Sequence, residues 1–126
     1  IVTTTETPFE LGKAEIFWLP ETGLAQVGII ATGALLHKAL FAAKELETEG
    51  IKTKVMNLTT IKPLDEKSVL ELAKECKKIV TVEEHQVAGG MGSAVAEFLA
   101  QNYPVQMEFV GVHDKFGQSG TPLELI

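Results

Sequence analysis

The stretch that decides the fold is Ile79–Phe98, which reads IVTVEEHQVAGGMGSAVAEF. It opens with an apolar, β-branched run, which favours a buried strand over a helix. A polar tip, a glycine-rich turn and a helical pattern of apolar residues follow. Together these form the βα unit of an open α/β sheet, in which ligands and partners bind outside the carboxyl ends of the strands. That edge of the sheet is therefore the first place to look for function.

The rest of the chain repeats this alternation of strand and helix. The expected strands are Glu15–Leu19, Gln26–Ala31, Ile51–Leu58, Ile79–Val82 and Val105–Val112. Apolar residues at helical spacing predict a helix after each of the middle three strands. Gly50 is expected to end the first helix, and Asp65 to cap the start of the second. The order predicts an α/β domain with a mostly parallel sheet and helices on both faces.

Two strands carry more specific signals. The first is short and closes at Pro20, which suits an edge position. The third alternates apolar with polar residues and predicts a strand with one wetter face, nearer an edge.

The composition limits what the chain binds. Its 126 residues suffice for one domain with a hydrophobic core. The net charge of −6, without a lysine cluster among aromatic residues, argues against nucleic acid and against an anionic membrane surface. All 11 basic residues are lysines, which argues against a dedicated sugar-phosphate site, because clamping phosphates is typically the work of arginine.

The single cysteine and the chain ends give expectations about location and domain boundaries. Cys76 is predicted to be a buried core thiol, and a reducing, cytoplasmic compartment fits the lack of a signal peptide and of a membrane-spanning apolar run. Residues 1–10 are Thr-rich and predicted to be a linker or arm, and residues 11–126 to be the domain. The chain stops as PLELI opens a helical pattern, so we expect a fragment that lacks a terminal helix.

The polar tip holds the candidate site residues. Glu83, Glu84 and His85 resemble an acid/base cluster, but adjacent strand residues point to opposite faces. The alternative is that one glutamate caps local backbone while the other is solvated. His113 and Asp114 follow the last strand and so belong to the same sheet end as His85. These five residues are predicted to contact a partner or the rim of a site completed elsewhere, and no catalytic residue or metal site is expected within the chain.

The glycine turns are candidate anion sites. A helix N-terminus behind a glycine-rich turn can cradle an anion. Against this, the glycines form a poor dinucleotide fingerprint, and the competing interpretation is close helix–strand packing with a turn at positive φ. Thr32 and Gly33 pose the same question on a smaller scale, as a tight turn with an N-cap threonine. The candidate turn residues are Thr32, Gly33, Gly89, Gly90, Gly92 and Ser93.

Several of these motifs, in this order, resemble the C-terminal domain of transketolase. They are Ala31-Thr32-Gly33, then NLTTIKPLD over residues 57–65, then the stretch 79–93 with VEEH and GGMGS, and finally GVHDKFGQSG over residues 111–120. The chain looks closest to the split transketolases, whose C-terminal half is a separate polypeptide. The alternatives within the superfamily are 1-deoxyxylulose-5-phosphate synthase and the β subunit of 2-oxo acid dehydrogenases.

The resemblance implies a three-layer α/β/α domain whose five-stranded sheet has an antiparallel first strand. It implies that thiamine diphosphate and magnesium bind to other domains of the complete enzyme, with none held by this chain. That enzyme would move two-carbon ketol units between sugar phosphates in the pentose phosphate pathway. This domain would be inactive alone, supporting a homodimer and contacting the other transketolase domains or an N-terminal subunit. The competing hypotheses are a stand-alone anion- or nucleotide-binding module and a pure dimerisation module.

Overall fold

The structure, a computed structural model, describes residues 13–58, 63–84 and 90–112. The strands are β1 Ala14–Trp18, β2 Val27–Ala31, β3 Thr53–Leu58, β4 Lys78–Glu84 and β5 Gln106–Val112. The α-helices are α1 Leu36–Thr48, α2 Glu66–Glu75 and α3 Met91–Asn102, and a 3-10 helix, Gly33–Leu35, leads into α1.

The strands form one sheet in the order β1-β3-β2-β4-β5. β1 pairs antiparallel with β3, and all the other pairings are parallel. This confirms the expected sheet, including the antiparallel first strand at an edge. The predicted arm, residues 1–10, lies outside the described residues, so the domain boundary stays a prediction. Among the described helices, none is long and apolar enough to cross a membrane.

The sheet separates two hydrophobic cores, which makes the fold a three-layer α/β/α domain. On one face, α1 packs through Ala39, Ala43 and Leu46 against β2, β3 and β4. On the other face, α2 and α3 pack through apolar residues such as Leu72 and Val95. Both faces of the central strands are thus removed from water, which is why their sequences are nearly continuous apolar runs.

The prediction of a wetter face on β3 is wrong. Five of its six residues are buried, including the polar Thr53 and Asn57. β3 lies inside the sheet, between β1 and β2, so each of its faces is covered by a helix layer. The half-buried Lys54 is accommodated because its Nζ lies 2.6 Å from Oε1 of Glu75 on α2.

That same glutamate also holds the chain before β2. Oε2 of Glu75 accepts a hydrogen bond of 2.9 Å from the backbone N–H of Ala25. Burial on its own would raise the pKa of the Glu75 carboxyl, but the hydrogen bonds from Ala25 and Lys54 outweigh it and hold the pKa below its ordinary value.

Cys76 is buried as predicted, and burial raises the pKa of its thiol to about 12, so the thiol stays protonated.

Gly50 ends α1 as predicted. Its φ of +85° suits a glycine at this position. The N–H of Gly50 donates to Glu47 O, and the N–H of Ile51 donates to Leu46 O. This pair of bonds is the Schellman arrangement, which satisfies the last carbonyls of a helix.

Asp65 caps α2 as predicted, and it does more than the sequence indicated. Oδ1 accepts from the backbone N–H of Ser68 at 3.2 Å, while Oδ2 accepts from the Ser68 hydroxyl at 2.8 Å and from the backbone N–H of Ala14 at 2.7 Å. One carboxylate therefore fixes both the start of α2 and the start of the edge strand β1. Burial would raise the pKa of Asp65, but these hydrogen bonds, with the charge of Lys13, hold it below its ordinary value of 3.8.

The first prediction concerns Asp65→Ala. We expect the free energy of unfolding at neutral pH to fall by about 1–3 kcal/mol, because a helix cap and the partner of a strand N–H are both lost. Since the pKa of Asp65 is depressed in the folded state, its contribution is present above pH 3.8 and is lost as the pH falls below that value. Urea unfolding across the acid range should show the gap between wild type and variant closing. Glu71→Ala, an exposed position of the same helix, is the control; an equal loss there would contradict the assignment.

Candidate functional site

The candidate site is the carboxyl edge between β2 and β4. The two strands are parallel neighbours, with Ala31 opposite Val82. The chain leaves β2 for β3 on one side, while β4 lies on the other side, so the connections diverge at this point. Such a switch point is the usual ligand crevice of open α/β sheets. The residues that follow each strand here decide what the edge can do.

Glu83 is committed to the N-terminus of α3. Its Oε1 accepts from the backbone N–H of Met91 at 3.0 Å, and its Oε2 accepts from the N–H of Gly92 at 2.9 Å. These N–H groups belong to the first turn of a helix, where no backbone acceptor is available to them. A carboxylate there also interacts favourably with the helix dipole. Of the two adjacent glutamates, Glu83 is therefore the one that caps local backbone.

This cap bears directly on the candidate anion site. An external phosphate or carboxylate at the start of α3 would need the amides that Glu83 already engages, and would meet its negative charge. Gly90 occupies the N-cap position of α3 without positive φ, and Ser93 is exposed in the first turn. The described part of the glycine turn thus presents an occupied helix N-terminus. Gly89 lies outside the described residues.

Gly92 lets the helix approach the sheet closely. A Cβ placed on it would lie 2.6 Å from Glu83 Oε2, 2.9 Å from Phe109 Cδ2 and 3.0 Å from Thr81 Oγ1. The Thr81 hydroxyl is buried beneath this turn and finds no hydrogen-bond partner among the described residues. The glycine here serves helix–strand packing, the interpretation that competed with anion binding.

Glu84 points to the other face of the sheet. Strand alternation puts it on the side of Val80 and Val82, which face α1. It is half-buried, and no hydrogen bond or ion pair of its side chain is found within the described ranges. The two glutamates therefore do not converge on one substrate, as the sequence had indicated.

The turn after β2 differs in detail from the expectation. Thr32 occupies the N-cap position of the 3-10 helix, but its hydroxyl makes no capping bond; its carbonyl accepts from Leu35 N–H at 2.9 Å instead. Gly33 is exposed, and a Cβ added to it would meet nothing within 4 Å. Thr32 therefore occupies the predicted N-cap position, but the backbone alone closes this tight turn.

The remaining candidates divide into residues that the structure describes and residues that it does not. His85, His113 and Asp114 lie outside the described residues, so their contact roles stay predictions. His37 is exposed on α1. Within the described ranges, no group of three or more His, Cys, Asp or Glu side chains is arranged to hold a metal ion.

A family model described as transketolase, C-terminal domain, matches residues 21–126. The chain belongs to this family. Among its relatives is a 6-deoxy-6-sulfo-D-fructose transketolase subunit of Clostridium sp. (strain MSTE9), 47% identical over 112 residues. A 1-deoxy-D-xylulose-5-phosphate synthase of Syntrophus aciditrophicus (strain SB) is 42% identical over 127 residues. The match to the transketolase subunit covers 89% of this chain and 34% of that subunit. The match to the synthase covers 98% of this chain and 19% of the synthase.

The fold comparison agrees with the family. A solved split gene transketolase, described as an inactive tetramer of four beta subunits, superposes with a TM-score of 0.77 at 41% identity. The superposition covers 94% of this transketolase C-terminal domain and 38% of the solved chain. The present chain thus spans about a third of the transketolase relatives, and the α/β/α architecture expected from the resemblance is confirmed.

The second prediction separates the two glutamates. Glu83→Ala should lower the free energy of unfolding by about 1–2 kcal/mol, because it leaves two N–H groups of α3 without their acceptor. Glu84→Ala should change it by less than about 0.5 kcal/mol. Urea unfolding monitored by circular dichroism measures both values. Equal losses for the two variants would contradict the capping assignment.

The third prediction compares two glycines of the same edge. Gly92→Ala should cost about 1–3 kcal/mol, since the new Cβ displaces the Glu83 carboxylate or the Phe109 ring, and this outweighs the better helix propensity of alanine. Gly33→Ala is the matched control and should change stability by less than about 0.5 kcal/mol, because its Cβ enters open space. Thermal unfolding of the two variants measures their stability relative to wild type. A Gly92→Ala variant as stable as wild type would rule out the tight packing.

Proposed function

We propose that this transketolase C-terminal domain is part of a thiamine-diphosphate enzyme that transfers two-carbon ketol units between sugar phosphates. Its role there is to support assembly rather than to react with substrate. The observation that carries this proposal is the commitment of Glu83 to α3, which removes the best-placed carboxylate of the carboxyl edge from chemistry. The 47% identity to a transketolase subunit supports the choice of enzyme.

The donor set of the described residues does not fit the cofactor of such an enzyme. A diphosphate with its metal calls for carboxylate or carbonyl ligands together with amide or cationic phosphate contacts. The start of α3 already carries a carboxylate, and within residues 13–58, 63–84 and 90–112 no metal-binding cluster is present. We propose that thiamine diphosphate and magnesium bind to the other domains, as the family resemblance implies. The transketolase relatives are about three times as long as this chain, which leaves room for such domains.

The contacts with those domains are assigned to the carboxyl edge. Glu84 offers a carboxylate without a partner among the described residues, and His85, His113 and Asp114 follow strands that end at the same edge. The parent enzyme is also expected to be a homodimer. The tetramer of four beta subunits described for the split gene transketolase gives a precedent for self-association in a subunit of this family. We further expect the enzyme to work in the cytoplasm, in the pentose phosphate pathway.

A second candidate is the C-terminal domain of 1-deoxy-D-xylulose-5-phosphate synthase. The 42% identity over nearly the whole chain to a synthase favours it about as strongly as the transketolase match favours the first. Both candidates give this domain the same supporting role. They differ in the two-carbon unit that the assembled enzyme transfers, because a ketol unit keeps its C1 hydroxyl and cannot give a 1-deoxy product. The 2-oxo acid dehydrogenase alternative stays a prediction.

The fourth prediction tests the supporting role. Alone, the 126-residue chain should release no product from a ketose phosphate, and calorimetric titration should detect no tight binding of thiamine diphosphate, magnesium or adenine nucleotides. Combined with the cofactor-binding domains, the chain should be required for ketol transfer to an aldose phosphate. Analysis of the product separates transketolase from 1-deoxyxylulose-5-phosphate synthase. Turnover by the chain alone, or micromolar nucleotide binding, would overturn the proposal.

A further inference from the structure

The outer edge of β5 is an exposed apolar surface. We define the β5 edge surface as Ala96, Ala100, Tyr103, Val105, Met107 and Phe109. Phe109 is 57% exposed and Tyr103 is 39% exposed, although both are aromatic. A shallow apolar groove is lined by residues of α3 and β5 and of the segment between them, which are Ala96, Ala100, Pro104, Val105, Met107 and Phe109. Contiguous apolar surface of this kind on a domain marks an interaction site.

The two edges of the sheet are protected differently. β1 has five residues, and its register with β3 shifts between Ile16 and Trp18, an irregularity that discourages pairing at the outer side. β5 has seven residues in unbroken register with β4, from Gln106 to Val112, and contains neither lysine nor proline. No described strand pairs with its outer side. β5 thus lacks a bulge, a proline and a lysine, three of the devices that prevent one strand from pairing with another chain. Its one charged residue, Glu108, lies 3.4 Å from Lys78 Nζ of the neighbouring strand β4 through its Oε2.

We propose that the β5 edge surface binds a second copy of this chain, with β5 pairing antiparallel to its copy across a two-fold axis. The inference deepens the proposed supporting role and rests on it, because it names the surface through which copies associate. A two-fold axis perpendicular to the sheet makes the neighbouring edge strands antiparallel and keeps α3 and its copy on the same face. The product is a continuous sheet of ten strands.

The sequence of β5 permits antiparallel pairing with a copy about its central residue, Phe109, without opposing like charges. With the axis at Phe109, Met107 lies opposite Gly111 of the copy, and Glu108 opposite Val110. The two Phe109 rings meet at the axis, where an aromatic pair is favourable. A shift that centred the axis on Glu108 would oppose two like charges, which disfavours that register. The charge pattern therefore favours the register centred on Phe109, which buries the exposed aromatic residue, over the one centred on Glu108.

The helix beside β5 leaves room for the copy. Ala96 and Ala100 are four residues apart on α3, and both line the groove over β5. Their small side chains permit α3 of the copy to approach across the paired strands. The groove then encloses Met107 and Phe109 of both copies, removing from water the apolar surface that the single chain exposes.

The test is a cysteine placed on the axis. Directly opposed residues of antiparallel strands have Cα atoms about 4.5–5.5 Å apart, within the span of a disulfide. Phe109→Cys should therefore form a disulfide-linked dimer on mild oxidation. The only native cysteine, Cys76, is buried and does not compete. Phe41→Cys, which replaces a phenylalanine 53% exposed on α1, is the matched control and should stay monomeric on denaturing gels.

A second pair of variants measures association without a covalent bond. Sedimentation velocity between about 1 and 100 µM should show concentration-dependent dimers of the wild-type chain, the range expected of a modest interface. Phe109→Lys should weaken association about tenfold or more, whereas Phe41→Lys should leave it unchanged. Circular dichroism confirms that each variant is folded.

The outcomes are distinct from those of the assembly experiment. A chain that is monomeric at every concentration, dimers that persist in Phe109→Lys, or equal cross-linking of the two cysteine variants would overturn the β5 interface. If the chain stays monomeric yet is required for ketol transfer, the proposed function stands and only the interface is wrong. If the thiol introduced by Phe109→Cys is protected from alkylation solely in the presence of the other domains, this edge belongs to them instead, which also overturns the proposal.

Discussion

The structure depends on burying both faces of a parallel sheet. β2 and β4 lie at its centre, and residues such as Ile29, Ile30, Ile79 and Val80 are fully removed from water. A sheet with two covered faces needs helices on both sides, and its parallel strands need crossovers that bring each helix back. The α/β/α layering, the divergence of the chain at β2 and the exposure of the two sheet edges all follow from this requirement.

Acidic side chains join the layers. Asp65, Glu75 and Glu83 each accept hydrogen bonds from backbone N–H groups, linking α2 to β1, α2 to the segment before β2, and β4 to α3. Such charge-assisted bonds are stronger than neutral ones, and each satisfies an amide that secondary structure leaves unpaired. These three carboxylates are thus directed at the protein's own backbone. This arrangement is consistent with the supporting role proposed above.

Much of the candidate site was accessible from sequence, but its assignments were not. Local patterns placed Glu83 and Glu84 at the end of a buried strand, and alternation already separated their directions. Which of them caps α3 depends on where the helix begins relative to β4, a distance that the intervening turn sets in space. The Lys54–Glu75 pair was missed because its partners are 21 residues apart, and neither shows a local signal.

The sequence by itself determined the order of elements, the mostly parallel sheet, the helix boundaries at Gly50 and Asp65, and the family. These follow from hydrophobic periodicity, turn residues and short motifs, all of which act between residues near one another in the chain. Only the tertiary structure decided that β3 is an interior strand, that the start of α3 is already occupied by a carboxylate, and that β5 presents an apolar edge. The first and the third depend on which strands become neighbours, and strand neighbours are chosen by packing over long separations in sequence. The second depends on where α3 begins relative to the end of β4.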